Sequence, residues 1–232
     1  MALSQAVPFY QSDALRTVAG PALRPGGLAL TDRAVSFCKM APGARVLDVG
    51  CGPGATVDHL RRHYRLAAMG LDCTPAMLDE ARRRCGAACL IRGRAGALPF
   101  DNGALAALFA ECVLSLLPVA PAVLAEWHRA LAPGGWLVVS DLYRRNGIGP
   151  PPGGALQGCV AGALNGPAVQ ARIVEAGFRV YLFEDHSPLL RQLAAELVWH
   201  CGSLAALRQA GCGGPGGFRP GYFLLVARKG RW

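Results

Sequence analysis

Lysine and charge are both scarce in this sequence. Only Lys39 and Lys229 are lysines among the 24 basic residues, and charged residues fill 17% of the 232 positions. Because 52% of the residues are hydrophobic, an intrinsically disordered chain is excluded. The net charge of +9 is compatible with a polyanionic partner. The arginine clusters, however, fall where we expect helices to end, which favours solvated helix faces over a nucleic-acid surface.

Signatures of metal binding, disulfides, export and membrane insertion are missing. The nine cysteines form no C-x-x-C pair, and His59 and His63 lack the glutamate and third ligand of a zinc enzyme. The first 16 residues show no basic start followed by an apolar run. The longest apolar stretch, from Cys112 to Ala125, is too short to cross a bilayer. We therefore predict a cytoplasmic protein with reduced thiols, no metal and no membrane partner.

Short apolar runs alternate with helical patterns in the first two thirds of the chain. A helix starts at Thr74-Pro75, with a hydroxyl cap and proline at the first helical position. Another runs from about Val119 to Leu131 and stops at the Pro133-Gly134-Gly135 turn. This alternation predicts an α/β fold with a parallel, doubly wound sheet. The predicted strands are Val46–Val49, Ala67–Leu71, Cys89–Arg92, Leu105–Ala110 and Trp136–Ser140.

The remainder of the chain is less regular. Residues from Arg144 to Gly158 are rich in glycine and proline and predict a long loop, a candidate lid. We predict a helix over Pro167–Ala176, strands over Arg179–Asp185 and Tyr222–Arg228, and between these strands a helix from about Leu189 to Ala210. Without an internal repeat, we expect one domain over residues 1–232. Its parts are an N-terminal cap (1–44), a cofactor-binding core (45–143) and a substrate-side region with the last strands (144–232).

A glycine-rich loop is the most informative local pattern. In "VLDVGCGPGATVDHL" a short strand is followed by Gly50, Gly52 and Gly54 at alternate positions, and then by a helical pattern. Glycine lets backbone approach a ligand closely, and the helix N-terminus adds unpaired N–H groups. Ligands of doubly wound sheets bind beyond the carboxyl ends of the strands, where this loop belongs. The glycines alone do not distinguish between nucleotide-containing ligands.

Two carboxylates narrow the choice of ligand. Asp48 lies in the strand just before the loop, and Asp72 ends the next strand. A carboxylate at position 48 would repel a pyrophosphate and attract an amino group or a sulfonium cation. An acid at the end of the second strand can accept hydrogen bonds from both hydroxyls of a ribose. The pair therefore favours a cationic amino-acid nucleoside.

The glycine loop, Asp48 and Asp72 together make the segment from Val46 to Asp141 resemble a class I S-adenosylmethionine-dependent methyltransferase. The resemblance is to the group that includes the ubiquinone/menaquinone-biosynthesis and arsenite methyltransferases, and "GRAGALPF", "ECVLSL" and "LAPGGWLVVSD" also carry it. It implies a seven-stranded Rossmann-like sheet with the last strand antiparallel, and S-adenosyl-L-methionine as cofactor. It also implies the cofactor-binding residues: Asp48, Gly50, Cys51 and Gly52 at the methionine part, Asp72 at the ribose, and Cys73, Met77 and Ala95 at the adenine.

One position departs from the pattern of this group. Its members usually read Gly-Asp-Ala-Glu before Leu-Pro-Phe, and that aspartate accepts a hydrogen bond from the adenine amino group. Here Arg94 replaces the aspartate and cannot accept one. We expect the adenine to be held instead by backbone, apolar contacts and stacking of the Arg94 guanidinium, at a cost on the order of 1 kcal/mol for the lost hydrogen bond.

Catalysis of methyl transfer depends mainly on placing the acceptor, so its sequence signatures are weak. We expect Glu111 to act as a base or cofactor contact, because it follows the fourth strand. Cys112 and Tyr143 are the other candidate catalytic residues, and we expect His186, after the sixth strand, to face the acceptor as well. "ECVLSL" resembles the segment in which arsenite methyltransferases carry a metalloid-binding cysteine, and Cys201 and Cys212 are candidate further thiols.

The leading hypothesis is methylation of a small molecule, with Tyr10 and the segment from Arg24 to Thr31 folded over the cofactor. An arsenic, selenium or thiol acceptor, a tRNA or rRNA acceptor, and a non-catalytic cofactor-binding relative remain open alternatives. The sequence has no Asn-Pro-Pro-Tyr run, which argues against nucleic acid as the partner. It also has no Tyr-x-x-x-Lys pair, which argues against a short-chain dehydrogenase.

Overall fold

The computed structural model describes residue 10 and residues 12–117, 121–145, 162–202 and 219–230. The helices longer than one turn are α1 (Asp13–Ala19), α2 (Ala29–Cys38), α3 (Ala55–Tyr64), α4 (Pro75–Cys85), α5 (Pro121–Ala130), α6 (Gly166–Glu175) and α7 (Ser187–Cys201). The strands are β1 (Arg45–Val49), β2 (Ala67–Asp72), β3 (Leu90–Arg92), β4 (Leu105–Glu111), β5 (Leu131–Arg144), β6 (Phe178–Asp185) and β7 (Pro220–Lys229).

All seven strands form one sheet in the order β3-β2-β1-β4-β5-β7-β6. The pairs among β1 to β5 are parallel, whereas β7 pairs antiparallel with both β5 and β6. The strand order reverses between β1 and β4, so the loop after β1 lies at the topological switch point where such sheets bind ligands. The predicted doubly wound α/β sheet with an antiparallel last strand is confirmed.

The sheet is buried on both faces, which explains the nearly continuous apolar runs of its central strands. Along β4, Leu108 and Ala110 face the layer that contains Trp127 of α5 and Ile173 of α6. Phe109, between them, faces the opposite layer, to which α2, α3 and α4 contribute. None of the helices in the described part of the chain is long and apolar enough to cross a membrane.

Strand β5 is longer at both ends than its predicted core, Trp136–Ser140. The Pro133-Gly134-Gly135 turn lies inside β5 and does not interrupt it. The register between β4 and β5 shifts at this turn, between the Leu105–Leu131 and Ala107–Trp136 pairs. At the other end Arg144 pairs with Pro220, so it belongs to the strand and not to the predicted loop. Residues 146–158 of the candidate lid, the end of the helix predicted to reach Ala210, and Cys212 lie outside the described residues.

Candidate functional site

The glycine loop between β1 and α3 combines a tightly packed residue with an open one. Gly50 has φ of +71°, and a Cβ there would lie 2.4 Å from Cγ2 of Val113. Its N–H donates to the carbonyl of Leu71 in β2 at 2.7 Å. Gly52 has φ of +50°, and no atom lies within 4 Å of where its Cβ would be. The loop is thus fixed against the protein at Gly50 and open to a ligand at Gly52.

A cavity of about 860 Å³ opens beside this loop, at the carboxyl edge of the strands. Its volume suits a cofactor together with a small acceptor. Every residue that we predicted to bind the cofactor lines this cavity, and so does Cys112. These residues are Asp48, Gly50, Cys51, Gly52, Asp72, Cys73, Met77, Arg94, Ala95 and Glu111.

Asp72 connects the glycine loop to the start of α4. Its Oδ2 accepts from the N–H of Gly52 at 2.9 Å, and its Oδ1 accepts from the N–H of Thr74 at 2.8 Å. The predicted hydroxyl cap of α4 is therefore wrong: the Thr74 side chain makes no capping bond. A carboxylate has about four acceptor sites, so two backbone donors leave Asp72 able to accept from a ligand in the cavity.

Asp48 is a buried carboxylate, with 3% of its surface exposed. Burial, followed by the negative charge of Glu111, raises the pKa of Asp48 well above its usual range, while Arg24 acts in the opposite direction. No hydrogen bond from a described residue offsets this burial. A ligand cation in the cavity would lower the pKa of Asp48 and stabilise its charged form.

Above the loop, the N-terminal segment is attached to β4 and α3 through a buried cluster around Arg24. The Arg24 guanidinium forms an ion pair with Glu111 at 2.9 Å and donates to the hydroxyls of Thr56 and Thr31. Both threonine hydroxyls also donate to Glu111 at 2.9 Å. Nε of Arg24 is buried and has no hydrogen-bond partner among the described residues.

This cluster changes the interpretation of Glu111. Its carboxylate accepts two hydroxyl hydrogen bonds and pairs with a guanidinium, so it is not free to take a proton from an acceptor. The prediction that Glu111 serves as a base has no support in this geometry. Its position indicates a structural role instead, since it holds Arg24 at the cavity wall.

The predicted adenine end of the cavity lies beyond β2 and β3. Met77 is buried there, while Cys73 and Arg94 are exposed at the mouth of the cavity. The carbonyl of Ala95 accepts from Nε1 of Trp127 at 2.9 Å, which holds this segment against α5. The Ala95 carbonyl therefore already accepts one hydrogen bond from the protein, whereas the sequence predicts that the Ala95 backbone is free to bind the edge of the adenine.

At the other end of the cavity, Cys112 sits in a conformation rare for residues with a side chain. Its φ is +58°, directly after β4. Its sulfur lies 3.1 Å from the hydroxyl of Tyr222, which donates to the hydroxyl of Ser140 at 3.2 Å. Burial, the largest cause, raises the pKa of Tyr222 well above its usual range, so the phenol stays protonated. Sequence reasoning missed Tyr222, because β7 is remote in the chain.

Two further candidates do not reach the cavity. The Tyr143 ring packs against Phe183 and Phe223 at centroid distances of 6.1 and 6.0 Å, in the core layer. We had expected Tyr143 to face the acceptor, but its side chain lies on the alternate face of β5, so we no longer assign it a catalytic role. His186 bonds to Glu184 at 3.0 Å and is likewise absent from the cavity lining.

The loop after β4 is held by a buried aspartate of β5. Asp141 accepts from the N–H of Ser115 at 2.8 Å and from its hydroxyl at 2.6 Å. Burial raises the pKa of Asp141 to about 6, although these hydrogen bonds act against the shift. The loop carries Val113, Leu116 and Leu117, which form an apolar wall of the cavity.

A metalloid-binding set of thiolates is not present in the part of the chain that the structure describes. No group of three His, Cys, Asp or Glu side chains there could hold a metal ion. The seven cysteines found there are free, and burial raises the pKa of Cys51 above its usual range, so that thiol is neutral.

Comparison with known proteins agrees with this geometry. Residues 46–135 match the family of methyltransferase domains. This match covers the part of the chain from β1 to the start of β5. It is 43% identical over 102 residues to a trans-aconitate 2-methyltransferase of Methylobacterium nodulans, covering 43% of this chain and 39% of that protein. The chain spans about two fifths of the length of four curated relatives that it matches.

Solved structures show the same fold at low sequence identity. The [4+2]-cyclase SpnF aligns over 95% of this chain and 86% of its own, with a TM-score of 0.74 and 23% identity. Phosphoethanolamine N-methyltransferase 2 of Haemonchus contortus, solved with S-adenosyl-L-methionine, aligns over 94% of this chain and 56% of its own, with a TM-score of 0.74 and 16% identity. The same sheet is therefore found in proteins that share few residues with this chain.

Proposed function

We propose that the protein binds S-adenosyl-L-methionine in the cavity beside the glycine loop and transfers its methyl group to a small-molecule acceptor. One observation carries the proposal: residues predicted from the sequence as cofactor contacts come together around one cavity at the switch point of the sheet. Asp48 and Asp72 flank the open backbone at Gly52, an arrangement that suits a cationic nucleoside and disfavours a diphosphate.

The polar groups of the cavity fit the parts of this cofactor. Buried Asp48 suits the amino group, and the remaining acceptor positions of Asp72 suit the ribose hydroxyls. The unpartnered Nε of Arg24 suits the methionine carboxylate, because a guanidinium binds carboxylates strongly. Met77 and Arg94 are left for the two faces of the adenine.

The cofactor supplies an electrophilic methyl group on a good leaving group. The residues of the chain place the acceptor and exclude water. Leu116, Leu117 and Val113 form an apolar wall, and Asp141 fixes the loop that carries them. The Tyr222 hydroxyl positions the Cys112 thiol at this end of the cavity. Holding the acceptor in line with the methyl group is the main source of rate enhancement in such a displacement.

A small acceptor is favoured by the relatives whose names state one. The trans-aconitate 2-methyltransferase and a fatty-acid O-methyltransferase of Mycolicibacterium smegmatis, 36% identical over 109 residues, are both named for a carboxylic acid acceptor. This chain spans only about two fifths of the length of those proteins, so a small acceptor is proposed for it by analogy.

Calorimetry with S-adenosylhomocysteine, the demethylated product, tests cofactor binding. We expect one site per chain and competition by S-adenosylmethionine. Absence of both heat and competition would contradict the proposal. Transfer of labelled methyl groups from S-adenosylmethionine into fractions of a cell extract tests the acceptor. Label in small molecules supports the proposal, label in RNA supports the nucleic-acid alternative, and no label in either contradicts catalysis.

A further inference from the structure

Arg144 is a buried arginine whose side chain has no hydrogen-bond or ion-pair partner among the described residues. It lies at the carboxyl end of β5, with 8% of its surface exposed. Its Nε has no hydrogen-bond partner among the described residues, and the only other buried side-chain atom there in this condition is Nε of Arg24. Arginine remains protonated in proteins, so Arg144 places a positive charge in a largely buried position.

No acidic side chain of the chain neutralises this charge. All 15 Asp and Glu residues fall within the described residues, and the ion pairs found there involve other basic residues. Burial of an uncompensated charge is unfavourable, and natural proteins seldom retain one without a use for it. A guanidinium held in this way is prepared to bind an anion from outside the chain.

The register of the sheet places Arg144 on the acceptor side. Arg144 is two residues beyond Leu142, which pairs with Tyr222, so these three residues share one face of the sheet. The Tyr222 hydroxyl contacts Cys112 in the cavity wall. Two strand residues correspond to about 7 Å. Arg144 therefore lies beyond the Cys112 end of the cavity, away from the predicted adenine end.

We propose that Arg144 binds an oxyanion, a carboxylate or a phosphate, carried by the methyl acceptor. The inference rests on the proposed function, and it specifies the acceptor as an anionic small molecule. The guanidinium offers a planar fork of donors that matches both groups. The cavity also has an apolar wall of Val113, Leu116 and Leu117, which suits a hydrocarbon part of the same molecule.

Calorimetric titration of defined anions into purified full-length protein tests the proposal. The probes are octanoate, trans-aconitate and hexyl phosphate, each titrated with and without saturating S-adenosylhomocysteine. Arg144→Met removes the charge and keeps an unbranched side chain, whereas Arg144→Lys keeps the charge. Arg145→Met is the matched control, because Arg145 is adjacent but exposed.

We expect at least one probe to bind the native protein and to bind Arg144→Met at least tenfold more weakly, with Arg144→Lys intermediate and Arg145→Met within twofold of native. The affinity for S-adenosylhomocysteine should stay within twofold in every variant. Equal binding of all probes by native protein and Arg144→Met, or no binding by either, would overturn the proposal. Binding of octanoate but not hexyl phosphate would indicate a carboxylate site, and the opposite result would indicate a phosphate site.

The melting temperature distinguishes this role from a structural one. Without ligand, Arg144→Met should melt at the native temperature or above it, because an uncompensated buried charge is removed. A fall of several degrees would show that Arg144 supports the fold and would overturn the proposal. Failure of S-adenosylhomocysteine to bind would instead count against the proposed function, and the titrations without it would still measure the anion site.

Discussion

At the scale of single residues, the candidate site is a set of charges held in defined states by burial. Asp48 shows this most clearly, because burial and Glu111 raise its pKa in the protein without ligand. An ammonium group bound beside Asp48 would lower that pKa again. Binding should therefore release a proton from Asp48, and affinity should rise with pH until the raised pKa is passed.

Asp48→Asn tests this linkage. Calorimetry of S-adenosylhomocysteine in two buffers with different ionisation enthalpies should show proton release for the native protein and none for the variant, which should also bind more weakly. Asp79→Asn, at an exposed position of α4, is the control and should behave as native. Proton release of equal size in the Asp48→Asn variant would show that another group is responsible.

Arg94 provides a second test at this scale. Arg94→Asp introduces the acceptor that related enzymes use for the adenine amino group, so S-adenosylhomocysteine should bind several-fold more tightly, a gain on the order of 1 kcal/mol. S-inosylhomocysteine lacks that amino group and should show no gain. Arg94→Ala separates loss of the guanidinium from gain of the carboxylate. A similar gain for both ligands would contradict the placement of residue 94 beside the adenine amino group.

The site residues that could be predicted from the sequence are those in local patterns. Asp48, Gly50 and Gly52 follow one strand directly, and Asp72 ends the next, so strand order alone brings them together. Arg24 and Tyr222 could not be assigned in this way, because their contacts with Glu111 and Cys112 join segments far apart in the chain. Tyr143 was misplaced because strand alternation points it to the core layer.

At the scale of elements, strand ends and the loops that follow them determine the shape of the cavity. The loop after β4 depends on Asp141, which accepts three hydrogen bonds from Ser115 and Leu142. The positions of β1 to β4 were predicted to within one residue. The full length of β5 was not, since its pairing with β7 depends on a partner that follows much later in the chain.

Asp141→Asn should loosen the loop after β4. An amide has one acceptor oxygen in place of two, so we expect a loss of about 1–3 kcal/mol in the free energy of unfolding. Ser115→Ala removes one hydrogen bond and should cost about 1 kcal/mol. Denaturant titration measures both losses. Equal stability of Asp141→Asn and native protein would show that the loop is held by its apolar contacts alone.

At the scale of the whole molecule, the N-terminal segment packs against elements from the middle and the end of the chain. Arg16 of α1 pairs with Glu80 of α4 at 2.6 Å, and Leu15 packs against Leu197 of α7. Arg24 then joins this segment to β4. Because these attachments surround the cavity, a bound ligand should stabilise the entire fold and not one part of it.

Thermal unfolding measures this coupling. S-adenosylhomocysteine at 100 times its dissociation constant should add about 2.7 kcal/mol, which corresponds to a rise of roughly 5–10 °C for a chain of this size. Adenosine diphosphate at the same concentration should give no comparable rise, because the Asp72 carboxylate repels its phosphates and Asp48 offers no positive charge to bind them. An equal rise with both ligands would indicate a nucleotide site of another kind.

The most direct measurement is a crystal structure of the protein grown with saturating S-adenosylhomocysteine. The account predicts the ligand in the cavity beside Gly52, with its ribose hydroxyls on the Asp72 carboxylate and its amino group at Asp48. An empty cavity, or the ligand bound elsewhere on the protein, would contradict it.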